Sequence, residues 1–98
     1  MGFDKVIISK SERDKKYKAL FTDSKLKKKK TIHFGAKGMS DFTIHGDIKR
    51  KERYLKRHFP RENWTKPDTA GALSRWILWN KSTFDASLKD FKKRFKLK

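Results

Sequence analysis

The stretch TAGALSRWILWN, residues 69–80, decides the fold, because as a helix it is apolar on nearly every side. Its large apolar side chains recur at helical spacing: Leu73, Trp76, Ile77, Leu78 and Trp79. A helix of this kind is stable only where other elements cover it. We therefore predict a central helix from Ala70 to Trp79, starting after Pro67 with a cap at Asp68 or Thr69.

The first third of the chain alternates apolar and polar residues in the manner of half-buried strands. The alternation marks three segments: Val6–Lys10, Lys16–Thr22 and Lys30–Phe34. Short polar connections separate them, so we expect an antiparallel three-stranded meander. The glycine-rich residues 35–46 have no clear period and predict a loop, with at most a short turn at Ser40–Phe42.

A strongly basic helix is expected to follow this loop. Asp47 can cap a helix from Ile48 to about Phe59, with Pro60 as its stop. Ile48, Leu55 and Phe59 share one side of that helix, and we expect this side to face the core.

A C-terminal amphipathic helix is predicted from apolar residues spaced by four, three and four positions: Phe84, Leu88, Phe91 and Phe95. Ser82 followed by Asp85 resembles a capping box at its start. Ninety-eight residues can bury one modest core. We therefore predict a single α+β domain, a three-stranded antiparallel β-meander followed by about three α-helices, with residues 1–4 and 96–98 frayed.

The net charge is the strongest indication of function. Lys and Arg number 28 against 11 Asp and Glu, which gives +17. A folded domain with this charge repels itself unless counter-ions or a polyanion neutralise it, and nucleic acid is the usual polyanionic partner. No stretch approaches the roughly 20 apolar residues of a spanning helix, so we expect no insertion into a membrane. The absence of cysteine excludes disulfides and thiolate metal sites.

The predicted nucleic-acid-binding residues come from the run KLKKKK, the loop after the sheet, the helix after Asp47 and the C-terminal helix. They are Lys27, Lys28, Lys29, Lys30, Lys37, Lys49, Arg50, Arg53, Lys56, Arg57, Lys89, Lys92, Lys93 and Lys96. The helix after Asp47 lacks the Asn and Gln that discriminate between bases, which favours phosphate contacts. A solvated basic surface and a nuclear-import signal are alternative interpretations of such runs.

Three histidines and two aspartates form the only candidate constellation for a metal or for acid–base chemistry: His33, His45, His58, Asp41 and Asp47. His33 and His58 can be laid on the pattern of the ββα-metal nucleases, which place one ligand near a strand end and another on the following helix. However, His33 lies in the middle of a predicted strand, and zinc sites without cysteine are a minority. We favour structural histidines, and we predict no catalytic residue, metal or cofactor.

Glycines and tryptophans have a functional and a structural interpretation. Gly35, Gly38 and Gly46 suggest a phosphate-binding loop, but they lack the spacing of a nucleotide fold, and turn geometry explains them. Trp76 and Trp79 are three residues apart in the apolar helix, so packing is favoured over stacking on bases. Trp64 lies in a polar loop, and we expect it to cap the core.

Four strings, in this order, resemble a small basic domain of unknown function found in large double-stranded DNA viruses of algae and amoebae and in some protist genomes: TIHFGAKGMSDFTIH, KERYLKRH, RENW and TAGALSRWILWNK. The resemblance covers about residues 16–95. It brings no catalytic residue, cofactor or substrate. It implies a setting in which small basic proteins often travel in the virus particle.

These observations lead to one expected function and one alternative. We expect a non-enzymatic protein that binds double-stranded DNA with little sequence preference, in viral genome packaging or the virion core. RNA is not excluded as a ligand. The alternative is a minor capsid or virion structural protein that contacts other particle proteins or the inner membrane. Either function places the protein in the virion and in the nucleus or cytoplasm of the infected cell, with its oligomeric state open.

Overall fold

The computed structural model describes residues 3–98 and shows an α+β fold, as the sequence predicts. Three strands form an antiparallel meander: β1 (Lys5–Lys10), β2 (Lys15–Asp23) and β3 (Lys28–Ala36). In this part of the chain four α-helices follow: α1 (Phe42–His45), α2 (Ile48–His58), α3 (Ala70–Leu73) and α4 (Phe84–Arg94). A 3₁₀ turn at Phe59–Arg61 continues α2, and a π turn at Ser74–Leu78 continues α3.

One core lies between the sheet and the apolar helical stretch at residues 69–80. The register pairs Val6 with Phe21 and Tyr17 with Phe34, so these side chains share the face that meets the helices. The sheet contributes buried Val6, Ala19, Phe21 and Phe34, and the helical part contributes buried Leu73, Ile77, Leu78 and Phe91. The prediction that residues 69–80 lie at the centre of the fold is therefore confirmed.

The central helix is less regular than its apolar pattern predicts. Thr69 caps it as expected, with its hydroxyl accepting a hydrogen bond from the Ala72 amide. From Ser74 the helix widens into a π turn, in which the Trp79 amide donates to the Ser74 carbonyl 3.0 Å away. The Arg75 guanidinium donates to the Trp79 carbonyl at 3.0 Å. Trp79 therefore lies just beyond the helix, half-buried at the edge of the core.

The expected side of α2 does not face the core. Asp47 caps the helix as predicted, but none of the eleven residues of α2 is buried, and Ile48 is 63% exposed. The helix is held instead by Tyr54, whose ring stacks on Trp79 with the centroids 4.3 Å apart and the planes 6° apart. Lys51 adds a hydrogen bond to the Asn80 carbonyl at 2.7 Å. The contact is therefore an aromatic stack at the edge of the core and not the predicted apolar side.

The segment predicted as a loop contains a helix of one turn. Asp41 caps α1 by accepting a hydrogen bond from the Thr43 amide, and Gly46 ends it in the left-handed conformation with φ 63°. Phe42 is buried, and Asp41 is 2% exposed. A single turn is too short to produce a periodic pattern, which is why the sequence did not reveal it.

The start of α4 also differs from the predicted capping box. Thr83, and not Ser82, is the cap, and its hydroxyl accepts from the Ala86 amide. Ser82 and Asp85 are exposed. The predicted apolar stripe is confirmed, since Phe91 is buried and its partners pack against the core: Phe84, Leu88 and Phe95.

The chain ends that we expected to fray are held in the described part of the structure. Leu97 is 8% exposed, and Lys98 exchanges hydrogen bonds with the edge of β1, donating to Asp4 and accepting from Val6. Phe3 packs on Phe21, with the ring centroids 5.5 Å apart. The two ends therefore stabilise each other, while the expectation for residues 1 and 2 lies outside the described residues.

The end of α4 generates a stability prediction. The Leu97 amide donates to the Lys92 carbonyl at 2.8 Å, and Lys96 between them has φ 55°, as in a Schellman motif. A side chain disfavours this left-handed conformation, so Lys96→Gly is expected to raise the free energy of unfolding by about 0.5–1 kcal/mol. Thermal unfolding should shift upward by about 2–8 °C. Lys96→Ala removes the same charge but keeps Cβ, and an equal gain in that control would contradict the explanation.

The attachment of α2 generates a second prediction. Tyr54→Ala removes the stack on Trp79, and we expect it to lower the free energy of unfolding by about 2–3 kcal/mol. Ile48→Ala removes an exposed side chain of the same helix and should change that free energy by about 0.5 kcal/mol or less. Denaturant unfolding of both variants measures the difference. A larger loss in the Ile48 variant would restore the sequence-based assignment of the buried side.

Candidate functional site

Most cationic side chains are not neutralised by the chain's own carboxylates. In residues 3–98, four Lys or Arg form an ion pair with Asp or Glu: Lys16 with Asp41 at 2.5 Å, Lys18 with Glu12 at 2.6 Å, Lys30 with Asp68 at 3.0 Å and Arg94 with Asp90 at 3.4 Å. The chain has 28 Lys and Arg in all. Most of the positive charge is therefore presented to solvent or to a ligand.

The hairpin between β2 and β3 presents three of the predicted lysines. Asp23 holds the turn by accepting hydrogen bonds from the Lys25 and Leu26 amides. Its tip exposes Lys27, Lys28 and Lys29. Lys30 behaves differently, because it binds Asp68, which is 7% exposed and lies just before α3. The structure thus separates a cationic tip from a lysine that ties the sheet to the central helix.

The three arginines of α2 that were predicted to contact phosphate line a cleft of about 500 Å³. Arg50, Arg53 and Arg57 form one wall, because positions three, four and seven apart share a helix face. The opposite wall comes from the ends of β2 and β3 and carries Lys15 and Lys16. These two lysines were not among the predicted binding residues, since charge alone does not show which strand end faces a helix.

The other eleven predicted cations lie outside the lining of this cleft. On α2, Lys49 and Lys56 are exposed beside Arg53 but do not line the cleft. On α4 and after it, Lys89, Lys93 and Lys96 are exposed, while Lys92 is half-buried. Lys37 is exposed in the loop after β3. The predicted set therefore occupies several surfaces, and one of them is concave.

The cleft is built on an aromatic stack. The Tyr54 ring stacks on both Trp79 and His58. The centroids of the Tyr54 and His58 rings are 4.2 Å apart. Burial, together with the nearby Glu62 carboxylate, raises the pKa of Tyr54 to about 12, so its phenol stays neutral. His58 Nδ1 lies 2.7 Å from Glu62 Oε2. These contacts fix the face of α2 that carries the arginines.

The histidines have partners of their own. His33 Nδ1 is 2.8 Å from the Ser11 hydroxyl, and His45 Nδ1 accepts from the Asp47 amide at 2.8 Å. His33 and His58 both line the cleft, whereas His45 does not. Among the described residues no three His, Asp or Glu side chains form a group able to hold a metal ion. Within residues 3–98 the other ring nitrogen of His45, Nε2, is buried and has no hydrogen-bond partner. A structural role for the histidines stays a prediction.

The tryptophans are engaged within the protein. Guanidinium groups lie over the Trp76 ring, with Arg75 4.1 Å and Arg94 3.9 Å from its centroid. The Trp76 indole donates to the Trp64 carbonyl at 2.8 Å. Burial, reinforced by the neighbouring Arg94, lowers the pKa of Arg75. Trp79 is covered by Tyr54. Packing thus takes precedence over base stacking at Trp76 and Trp79, as predicted.

Three glycines at or after the end of β3 have positive φ, and one of them, Gly35, lines the cleft. Gly35 has φ 83°, and a Cβ at this position would lie 2.9 Å from Leu78 Cδ1. Gly38 and Gly46 also have positive φ, at 84° and 63°. Turn conformation and close packing therefore account for all three. Separately, no helix within residues 3–98 has the length and apolar character needed to cross a membrane.

Comparison with known proteins places the chain in a family. No curated protein and no solved structure matches it. A family model described as "Family of unknown function (DUF5754)" matches residues 5–58. The matched part contains the whole sheet, α1 and α2, and so includes both walls of the cleft but not its floor. Because the match covers more than half of the 98 residues, the chain belongs to the DUF5754 family.

Proposed function

We propose that this protein binds double-stranded DNA through its phosphates, with little preference for base sequence, in the packaging of a viral genome or in the virion core. The observation that carries the proposal is the large excess of cations without a carboxylate partner among the described residues. The viral setting rests on the resemblance of the four sequence strings.

The mechanism is the release of counter-ions. Each Lys or Arg that meets a phosphate displaces cations condensed on the duplex, and the entropy of their release drives binding. The exposed hairpin tip and the exposed face of α4 project their lysines into solvent, where a phosphate backbone can reach them. Such contacts position a protein on DNA but carry no sequence information.

A structural role in the particle is the alternative, and exposed apolar side chains favour it. Ile44, Ile48 and Phe59 are 67%, 63% and 67% exposed, respectively. Exposed apolar side chains of this kind can meet another protein. Location in a density map of the particle separates the two functions. A position in the shell lattice supports the structural role, whereas co-purification with the genome after shell disruption supports DNA binding.

The DNA proposal predicts a steep dependence of affinity on salt. The logarithm of the binding constant for duplex DNA should fall linearly with the logarithm of salt concentration, with a slope of about −0.9 for each phosphate contacted. Fluorescence anisotropy with two unrelated duplexes measures both the slope and the lack of sequence preference. A flat response to salt, or an affinity ratio between the duplexes of about 10³ or more, would contradict the proposal.

Two double variants that each remove two positive charges, one at the hairpin tip and one elsewhere on the sheet, test the role of the tip. Lys28→Gln with Lys29→Gln should make the salt slope shallower by about 1.8, because two phosphate contacts are lost. Lys10→Gln with Arg13→Gln removes two exposed charges near the other end of β2 and should change the slope by less than half as much. Equal effects of the two double variants would show that net charge alone governs binding.

A further inference from the structure

The cleft beside α2 has the dimensions and the lining of a small-molecule site. Its volume of about 500 Å³ falls within the roughly 300–1,000 Å³ typical of such sites. A DNA duplex cannot enter a space of this size and can meet only its mouth. The cleft is therefore a separate feature from the convex cationic surfaces at the hairpin tip and α4.

The charges around the cleft favour an anion. Five cations line it: Lys15, Lys16, Arg50, Arg53 and Arg57. Two carboxylates also line it, and both are occupied, since Asp41 binds Lys16 and Glu62 contacts His58 and the Trp64 indole. Lys15 and the three arginines form no ion pair in the described residues. An incoming anion would therefore meet guanidinium groups free to bind it.

The floor of the cleft carries apolar side chains. Exposed Ala70 and half-buried Trp79 supply apolar surface, whereas Leu78, which also lines the cleft, is only 2% exposed. A Cβ on Gly71 would lie 2.9 Å from Glu62 Oε1, so glycine at this position lets the start of α3 lie close to the Glu62 side chain. A site for inorganic phosphate alone would not need an apolar floor. The combination suits a ligand with a charged end and a flat apolar part.

We infer that the cleft binds a single nucleotide unit, with its phosphate held by Arg50, Arg53 and Arg57 and its base resting against Ala70 and the part of Trp79 that Tyr54 leaves uncovered. Arginine suits this task because its planar fork binds phosphate with two parallel hydrogen bonds. The ligand is a nucleoside monophosphate, either free or as the phosphorylated end of a single strand. Nucleotide binding in the cleft does not require duplex binding, since the duplex contacts are proposed for the hairpin tip and α4.

Calorimetry with the full chain tests the inference. Deoxyadenosine 5′-monophosphate should bind at least about tenfold more tightly than inorganic phosphate or unphosphorylated deoxyadenosine, because only it uses both parts of the cleft. A single-stranded oligonucleotide with a 5′-phosphate, compared with the same strand ending in a hydroxyl, distinguishes a strand end from a free nucleotide. If inorganic phosphate binds as well as the nucleotide, the cleft is only an anion site and the inference is wrong.

Matched charge variants locate the binding. Arg53→Gln with Arg57→Gln should weaken nucleotide binding by about tenfold or more. Lys49→Gln with Lys56→Gln removes the same charge from α2 at positions that do not line the cleft, and nucleotide binding should stay within about twofold. Equal loss in both would overturn the assignment to the cleft. Thermal unfolding of each variant confirms that it is folded.

A variant that fills the floor without changing charge separates the base from the phosphate. Ala70→Leu, at an exposed position in the lining, should abolish the preference for nucleotide over inorganic phosphate while phosphate binding persists. An unchanged preference would place the base elsewhere and overturn the inference. Duplex affinity is measured on the same samples. Duplex binding without nucleotide binding defeats the inference alone, and nucleotide binding without duplex binding defeats the proposed function alone.

Discussion

The burial of aromatic and aliphatic side chains between the sheet and the central helix holds together a chain whose charges repel one another. Phe21, Leu73, Ile77 and Phe91 are fully buried, whereas the net charge is +17. Repulsion of this size opposes any compact state, so the apolar contact must exceed it. Large residues are concentrated on one face of the sheet and on the helical side that meets it, which leaves the remaining surface for cations. The apolar side chains that stabilise the fold and the cations are therefore on different parts of the same domain.

The stacking of Tyr54 on Trp79 converts that fold into a concave site. Successive residues of an α-helix are about 100° apart, so attachment through Tyr54 instead of Leu55 turns α2 by about that angle. The turn directs Arg50, Arg53 and Arg57 toward the ends of β2 and β3. It also leaves Ile48 exposed. One aromatic contact thus decides which α2 side chains meet solvent and which enclose the cleft.

Sequence periodicity and helix caps predicted the strands and helices that are long enough to show a repeating pattern. The alternation in the first third specified the meander, and Asp47 and Thr69 cap helices as expected, because a cap depends on neighbours two or three residues away. Three features escaped prediction for a common reason. The π turn at Ser74–Leu78, the single turn of α1 and the bonds of Lys98 to Asp4 and Val6 are too short or too distant in sequence to leave a period.

The sequence by itself determined the α+β class, the apolar centre at residues 69–80 and the surplus of cations, because composition and periodicity are properties of the chain. Only the tertiary structure decided which cations work together. Lys15 and Lys16 lie far from Arg53 and Arg57 in sequence, yet they line one cleft. Lys30 was predicted to contact nucleic acid, and in the fold it also binds Asp68. The physical reason is that a shared site depends on the rotation of one helix about its axis. That rotation was fixed by a stack between two residues twenty-five positions apart, Tyr54 and Trp79.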